Sequence, residues 1–240
     1  MNLPELSVVM LCYRAEESVR DSVQHMCKIL SKDIPNYELV LVGNYAVETD
    51  KTPHIVEEIA TRNPRIRYSA LKKEGMMGWD MKTGLGLATG EYIAIIDGDG
   101  QMPFEDVSRV YKAMRTHDAD MGKTYRTIRG DDLWRTCVSY VYNGLFRILF
   151  PGYRIRDVNS KPKIFSRRAL DKLTLVSDDW FIDAEMAIQA RRFNFILVEV
   201  PTVFNKLVGR QSFVKANTIF EFLKNLAVFR IKEFNVKRET

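Results

Sequence analysis

Asp97, Asp99 and Gln101 put three oxygen-bearing side chains at alternate positions of the stretch Asp97-Gly98-Asp99-Gly100-Gln101. Two carboxylates separated by one glycine can bend round a single hard cation, with the glutamine amide as a further oxygen donor. Glycines at the intervening positions let the backbone approach a ligand closely. The same residues also suit a plain Asp/Gly turn, and both readings stay open at this point. A calcium loop of the EF-hand type is a poor fit. Its sixth position needs glycine and holds Met102, and its last ligand position needs glutamate and holds Ser108. A second group of acids, Asp179, Asp183 and Glu185, falls at the start of an apparent helix. Each is either a base able to take a proton from a hydroxyl or an acid stabilised by the helix dipole.

These residues must be positioned by the elements around them. The run Tyr92-Ile93-Ala94-Ile95-Ile96 is short and almost free of polar groups, which reads as a strand buried on both faces of a parallel sheet. Asp97 and Asp99 then stand at the carboxyl end of a strand, where open α/β sheets bind ligands. Further strands are expected at Leu6–Leu11, Leu39–Val42, Ile66–Tyr68, from Ala119 through Lys123, and at Phe195–Val200, the last ending in Pro201. Helical spacing of apolar residues predicts helices at Glu16–Leu30, from Gly78 to about Ala88, at Phe104–Met114, at Ile182–Arg192 and from Asn217 to about Phe234. Another opens at Thr52-Pro53 by the N-cap and first-turn proline rule. Leu133 to Phe150 is a long apolar stretch, and Asp157 to Phe165 is irregular and polar before it turns apolar. Strands alternating with helices imply an α/β fold with a mostly parallel sheet and right-handed crossovers. Gly84-Leu85-Gly86 is no dinucleotide fingerprint, because it lies within a helix and Thr89 stands where the third glycine belongs. No internal repeat or linker divides the chain, so a single domain is expected.

The chain has 240 residues, 46% hydrophobic and 28% charged, with a formal net charge of +5. The mild positive excess suits phosphate-bearing partners without choosing among them. A nucleic-acid binder is disfavoured, because the basic residues lack an interleaved aromatic stacking platform. Cys12, Cys27 and Cys137 are odd in number and widely spaced, and His25, His54 and His117 are scattered, so neither zinc nor a disulfide framework is indicated. The N-terminal residues lack the pattern of a signal peptide and no apolar run approaches a membrane span. A cytoplasmic protein follows as the expectation. Tyr140–Phe150 and Ile219–Phe234 mix large apolar residues with Arg147, Lys224, Arg230 and Lys232. Such helices lie in a membrane's head-group region, or pack into a core or a dimer.

In order along the chain, these motifs resemble those of the family 2 glycosyltransferases of GT-A fold, in particular the dolichol-phosphate mannose synthase-like branch. The resemblance covers about Leu6 to Lys215. Its strongest part is Gly75 to Val107, where a glycine- and lysine-bearing loop, a helix, Ala88-Thr89-Gly90-Glu91-Tyr92, the buried strand and Asp97-x-Asp99-x-Gln101-x-Pro103 follow one another. Tyr13 matches the family's base-holding Tyr-Asn-Glu motif, with Arg14 and Ala15 in place of the last two. Gly43 and Asn44 stand where an acid pair is usual, while Asp50 and Thr52 match the turn that follows. Arg126 ends a strand in the family manner. Asp157 and Ser160 match an Asp-x-x-Ser-Gly-x-(Arg/Lys) segment in which Lys161 replaces glycine and Lys163 supplies the basic position. Near the end, Phe204 to Lys215 (FNKLVGRQSFVK) resembles the family's Arg-x-x-Gly-x-Ser-x-x-(Lys/Arg) ending, with Lys206 in place of the first Arg.

The resemblance implies a metal-dependent, inverting hexosyltransferase. A GDP- or UDP-hexose would be the donor and a polyprenyl phosphate, of dolichyl or undecaprenyl type, the acceptor, at the cytosolic face of a membrane. Asp97, Asp99 and Gln101 would hold Mg2+ or Mn2+. Tyr13, Asn44, Lys82, Asp97 and Arg126 would bind the nucleotide sugar, although Lys82 reads equally as a solvated lysine. Asp99, Asp157, Asp183 and Glu185 would be catalytic, and Arg135, Ser139, Arg210, Ser212 and Lys215 would meet the acceptor phosphate. The nucleotide-sugar half would span 1–120 and the acceptor half 121–215 of a domain over 1–215, with 216–240 as a C-terminal amphipathic helix and tail. Two other readings are a transferase acting on a glycan or lipid hydroxyl and a non-catalytic sugar-nucleotide binder, the latter motivated by Arg14-Ala15 and Gly43-Asn44.

Overall fold

A computed structural model describes residues 3–129, 133–152, 155–205 and 224–231. Among them seven strands form one sheet: β1 (Leu6–Leu11), β2 (Tyr37–Val42), β3 (Ile66–Ser69), β4 (Tyr92–Asp97), β5 (Met121–Arg129), β6 (Lys163–Ser166) and β7 (Leu197–Phe204). Their order in space is β3-β2-β1-β4-β6-β5-β7. All pairings are parallel except those of β6, which runs antiparallel to both β4 and β5. The helices are α1 (Ser18–Asp33), α2 (Thr52–Arg62), α3 (Met77–Leu87), α4 (Glu105–His117), α5 (Leu133–Leu149), the single turn α6 (Arg167–Leu170) and α7 (Ile182–Arg192).

Strand alternation sorts the core into two layers. Leu6, Val8 and Met10 of β1 face α1, α2 and α4 with Leu39, Leu41, Ala94 and Ile96, while Val9, Val40, Val42, Ile93 and Ile95 face α3 and α7. Because helices cover both faces, the central strands are apolar almost throughout, with Ser7 and Glu38 the buried exceptions, as a sheet covered on both sides requires. Ile93, Ile95 and Ile96 are fully buried, and each contributes roughly 1.5–3 kcal/mol. That burial fixes the strand, and the strand fixes the acids that follow it. A third apolar cluster joins Phe146 of α5 and Phe150 just beyond it to Phe181, Ala184 and Ile188 around α7, and to Leu226 of the helical segment 224–231.

The topology makes the crevice. From β1 the chain winds outward through β2 and β3, then returns to lay β4 on the other side of β1. The strand order reverses at that boundary, and the space outside the strands' carboxyl ends is where such sheets bind ligands. Leu11 and Asp97 are register partners across it. At the opposite end, Thr89 and Gly90 lace β4 to its neighbours. The Thr89 amide and hydroxyl donate to Glu38 Oε1 at 2.5 and 2.9 Å, and the Gly90 amide donates to Ser7 Oγ at 2.7 Å.

Several boundaries differ from those expected. α1 starts at Ser18, two residues late, because Glu16 has a left-handed φ of 45° and its amide donates to Thr52 Oγ1 at 2.9 Å. Thr52 is the first residue of α2 and not its cap; the Thr52 amide donates to Asp50 Oδ1 at 2.9 Å. β7 does not stop before Pro201 but runs through it. It is an edge strand, so the missing N–H breaks no ladder. Alternation of strands and helices carried no sign of β6, whose antiparallel entry makes the sheet mixed. Of the final helix expected over Asn217–Phe234, residues 224–231 are helical and the rest lies outside the described residues.

Gly84 explains how closely α3 lies on the sheet. A Cβ there would sit 2.4 Å from Val9 Cγ1 and 2.7 Å from Val42 Cγ2, whereas one on Gly86 meets nothing within 4 Å. The same chemical change is therefore expected to act oppositely at two positions in one helix. Gly84→Ala should destabilise by about 1–3 kcal/mol through overpacking. Gly86→Ala should be neutral or stabilise by about 0.5–1 kcal/mol through helix propensity. Thermal unfolding followed by circular dichroism separates the two.

Candidate active site

The turn after β4 is pinned from several sides. The Gly98 amide donates to Leu11 O at 2.9 Å, and Ser22 Oγ of α1 donates to Gly98 O at 2.8 Å. The Gln101 amide donates to Asp99 Oδ1 at 3.0 Å, an Asx turn. Gln101 O in turn accepts the Asn205 amide at 2.9 Å, which ties the chain just beyond β7 to this loop. The turn and ligand readings of the sequence are thus compatible, because the Asx turn uses one oxygen of Asp99 and the Asp97 side chain is 38% exposed. Among the described residues no three of His, Cys, Asp and Glu converge as a self-contained metal cage. Asp97, Asp99 and Gln101 carry their oxygen donors on this one turn. That donor set fits a divalent ion held by one or two carboxylates and completed by substrate phosphate.

Lys161 reaches this turn from beneath. Its ammonium lies 2.9 and 3.2 Å from the two oxygens of Asp97, 4.0 Å from Asp183 and 3.3 Å from Met77 Sδ, with its side chain 3% exposed. Burial alone would lower its pKa, but Asp97, Asp183 and Asp99 more than offset that, and the net shift is upward. Lys161 is a cation in place.

A denser set of charges lies deeper. Lys123 of β5 and Lys163 of β6 are cross-strand partners, both completely buried. Lys163 pairs with Asp183 at the start of α7. Lys123 donates to the main-chain oxygens of Asp157 and of Thr124, the latter at 2.9 Å, and stands 4.0 Å from Glu199. Like charges opposite one another on a sheet repel. The Lys123 pKa falls to about 7, through burial first and Lys163 second, and that of Lys163 is also lowered by burial. Burial likewise raises Glu199. Beside them Asp157 takes a two-pronged grip from Arg126, Nε at 2.6 Å and Nη2 at 2.9 Å, and Arg126 also lies over the Phe204 ring at 5.4 Å.

Of the other residues singled out in the sequence, Glu185 is fully buried. Its two oxygens accept the amides of Val176 and Ser177 at 2.9 Å each, which shapes the loop before α7. That loop meets α3, whose first amides donate to Asp178 O and Asp179 O, and Lys82 pairs with Asp178 at 2.7 Å. Asn44 is buried and turned inward: its amide nitrogen donates to Asp80 at 3.0 Å, and its oxygen accepts Ser69 Oγ at 2.7 Å and the Leu71 amide at 2.9 Å. Asp80 also pairs with Lys73, whose ammonium sits 4.4 Å from the centre of the Tyr13 ring. Ser139 and Asn143 are one turn apart on α5, and Asn143 accepts the Val158 amide at 2.9 Å. The Arg135 side chain, and Arg210, Ser212 and Lys215 altogether, lie outside what the structure describes.

The structure therefore brings together Asp97, Asp99, Gln101, Lys161 and Asp183, with Asp157 and Arg126 as an adjoining pair. Sequence reasoning noted Lys161 only as a replacement for glycine and passed over Lys73, Asp80, Lys123 and Glu199. One signal was available. Lys161 and Lys163 flank Pro162 directly before the apolar Ile164-Phe165, and lysines at the mouth of a buried strand need countercharges.

The depressed Lys123 has a consequence for stability. Its folded value of about 7 lies below its ordinary value of 10.5. Between the two the unfolded chain holds a proton that the folded chain does not, so this lysine makes stability rise with pH across that window. Lys123→Met is expected to shrink the rise, with Lys163 supplying the remainder. Denaturant midpoints taken at about pH 7 and about pH 9 check it.

The model for the family described as Glycosyl transferase family 2 matches residues 7–174. The glycosyltransferase AglD of Haloferax volcanii is 27% identical over 205 residues, which span 82% of this chain and 32% of AglD. A dolichyl-phosphate beta-glucosyltransferase of Dictyostelium discoideum is 24% identical over 233 residues, spanning 85% of this chain and 67% of that one. The chain thus spans from about a third to about two thirds of the length of these curated relatives. Among solved structures, glucosyl-3-phosphoglycerate synthase of Mycobacterium tuberculosis, in complex with Mn2+ and UDP-glucose, superposes with a TM-score of 0.72. It does so at 15% identity, over 95% of this chain and 79% of that one.

Proposed function

This chain belongs to glycosyl transferase family 2, and from that premise we propose that it moves a hexose from a UDP- or GDP-sugar to a polyprenyl phosphate at a membrane surface. The observation that carries the donor half is Asp97 and Asp99, pinned at the carboxyl end of β4 where the strand order reverses. Asp97, Asp99 and Gln101 would hold Mg2+ or Mn2+, as the M. tuberculosis neighbour does in its complexes with UDP. When bound, the ion would act as a Lewis acid on the departing diphosphate. Lys161 stands close enough to Asp97 to add positive charge on the same side. Tyr13, steadied by Lys73, offers a ring face to the base.

What the remaining acids are already doing supports this acceptor. A sugar hydroxyl needs a positioned base. Yet Asp183 is paired with Lys163, Glu185 accepts two loop amides and Asp157 is gripped by Arg126. A phosphate monoester, with a second pKa near 6, is a nucleophile at neutral pH without such help. The D. discoideum relative, whose name describes action on dolichyl phosphate, supports the same choice. For the membrane surface, α5 exposes Tyr140, Val141 and Ile148 and packs with the segment 224–231, which exposes Ile231. Among the described residues no helix is long and apolar enough to cross a membrane.

Intact protein with Mn2+ or Mg2+, a UDP- or GDP-hexose and a polyprenyl phosphate is expected to release nucleoside diphosphate, and Asp99→Ala to abolish that release. No release with any common donor sinks the reading. The pH profile then tests the acceptor. With a phosphate acceptor, kcat/KM should fall as pH drops through about 6, the acceptor's second pKa. A hydroxyl acceptor served by a carboxylate would stay active well below that.

A further inference from the structure

The buried lysines of this protein are not all explained by the acids around them. Lys163 answers Asp183, and Lys123 answers Glu199 and the Asp157 carbonyl. Lys161 is different, because the acid it meets at 2.9 and 3.2 Å, Asp97, is 38% exposed. Water could solvate that carboxylate at no cost to the fold, whereas an ammonium at 3% exposure loses nearly all its hydration. Asp183, 4.0 Å away, already has Lys163 as its closer partner. Lys161 thus places a positive charge against one of the two carboxylates of the turn, at a position where the fold does not need it.

We propose that Lys161 couples the binding of a divalent cation to that of a diphosphate. The inference rests on the reading of Asp97 and Asp99 as the diphosphate site. Alone, a divalent ion approaching the two acids meets an ammonium already bonded to Asp97, so the acids present about half their formal charge. A diphosphate reverses the sign of this effect. Its anionic oxygens complete the ion's shell, and Lys161 then faces net negative charge. The lysine thus opposes the cation alone and favours the cation–diphosphate pair. By linkage, each ligand strengthens the other by the same factor.

The test is Mn2+ binding by the full chain, read from the paramagnetic resonance of free Mn2+, with and without UDP or GDP. Titration of each nucleotide with chelator present runs alongside. Wild type is expected to bind Mn2+ weakly alone and much more tightly with one nucleotide. Lys161→Met is expected to bind Mn2+ alone about tenfold more tightly, the equivalent of about 1.4 kcal/mol, and the nucleotide alone more weakly. Lys161→Arg, which keeps the charge, should follow wild type. A merely structural lysine would not move these two affinities in opposite directions. The proposal is overturned if folded Lys161→Met matches wild type in both titrations while Mn2+ and nucleotide still bind together. That outcome leaves the donor site standing. Failure of every form to bind nucleotide with Mn2+ overturns the donor site and this inference with it. Should Lys161→Met not fold, wild type decides: Mn2+ held as tightly without nucleotide as with it overturns the coupling.

Discussion

Charge removed from water is the constraint on which the rest of this protein turns. Lys123, Lys161, Lys163, Asp157 and Asp183 all sit below one twentieth exposed at the junction of β4, β5, β6 and α7. An isolated buried charge costs several kcal/mol, so each of these residues is set against a partner of opposite charge. The antiparallel entry of β6 is what makes the set possible. It turns the residues preceding the strand toward the carboxyl end of β4, and so delivers Lys161 to Asp97 and Lys163 to the start of α7. An all-parallel sheet would send that segment to the opposite end.

The same network joins the two sides of the crevice. The early strands supply the turn with Asp97 and Asp99. The later elements supply the lysines beneath it, the Arg126–Asp157 pair and the loop organised by Glu185. Contacts between α3 and the loop at Asp178 and Asp179 close the arrangement. The geometry of the crevice therefore does not rest on the turn alone. A change at Asp183, far along the chain, would reach Asp97 through Lys161.

Much of the fold was legible because its signals are local. The isoleucine run of β4, the helical spacing of α7 and the carboxylates at a strand's end are patterns of neighbouring residues. β1 and α7 fall at the expected residues. What escaped notice is non-local. No spacing rule announces that Lys161 meets Asp97, 64 residues away, or that Asn44 turns inward to Asp80, 36 residues away. The β6 strand was obscured for a related reason. It is short, is preceded by Lys161-Pro162 and begins with a lysine, so its polar start masked two apolar residues. Acids at the start of α7 show the limit from the other side. Their types admitted a general base or a dipole partner, and only the surrounding lysine and loop amides reveal how each is engaged.

β7 closes the sheet at one margin, and its proline has a consequence beyond local hydrogen bonding. A strand at the rim of a sheet offers unpaired amides and carbonyls to any other chain, and is a template for aggregation. Here the outer strand carries Pro201 in its middle, with Val203 exposed two residues on. The rim at the far side is β3, only four residues long. One margin is interrupted and the other is brief, so a sheet with an apolar interior is poorly suited to growing by adding strands from neighbouring molecules. In a protein that also exposes apolar residues on α5, that protection keeps self-association away from the sheet.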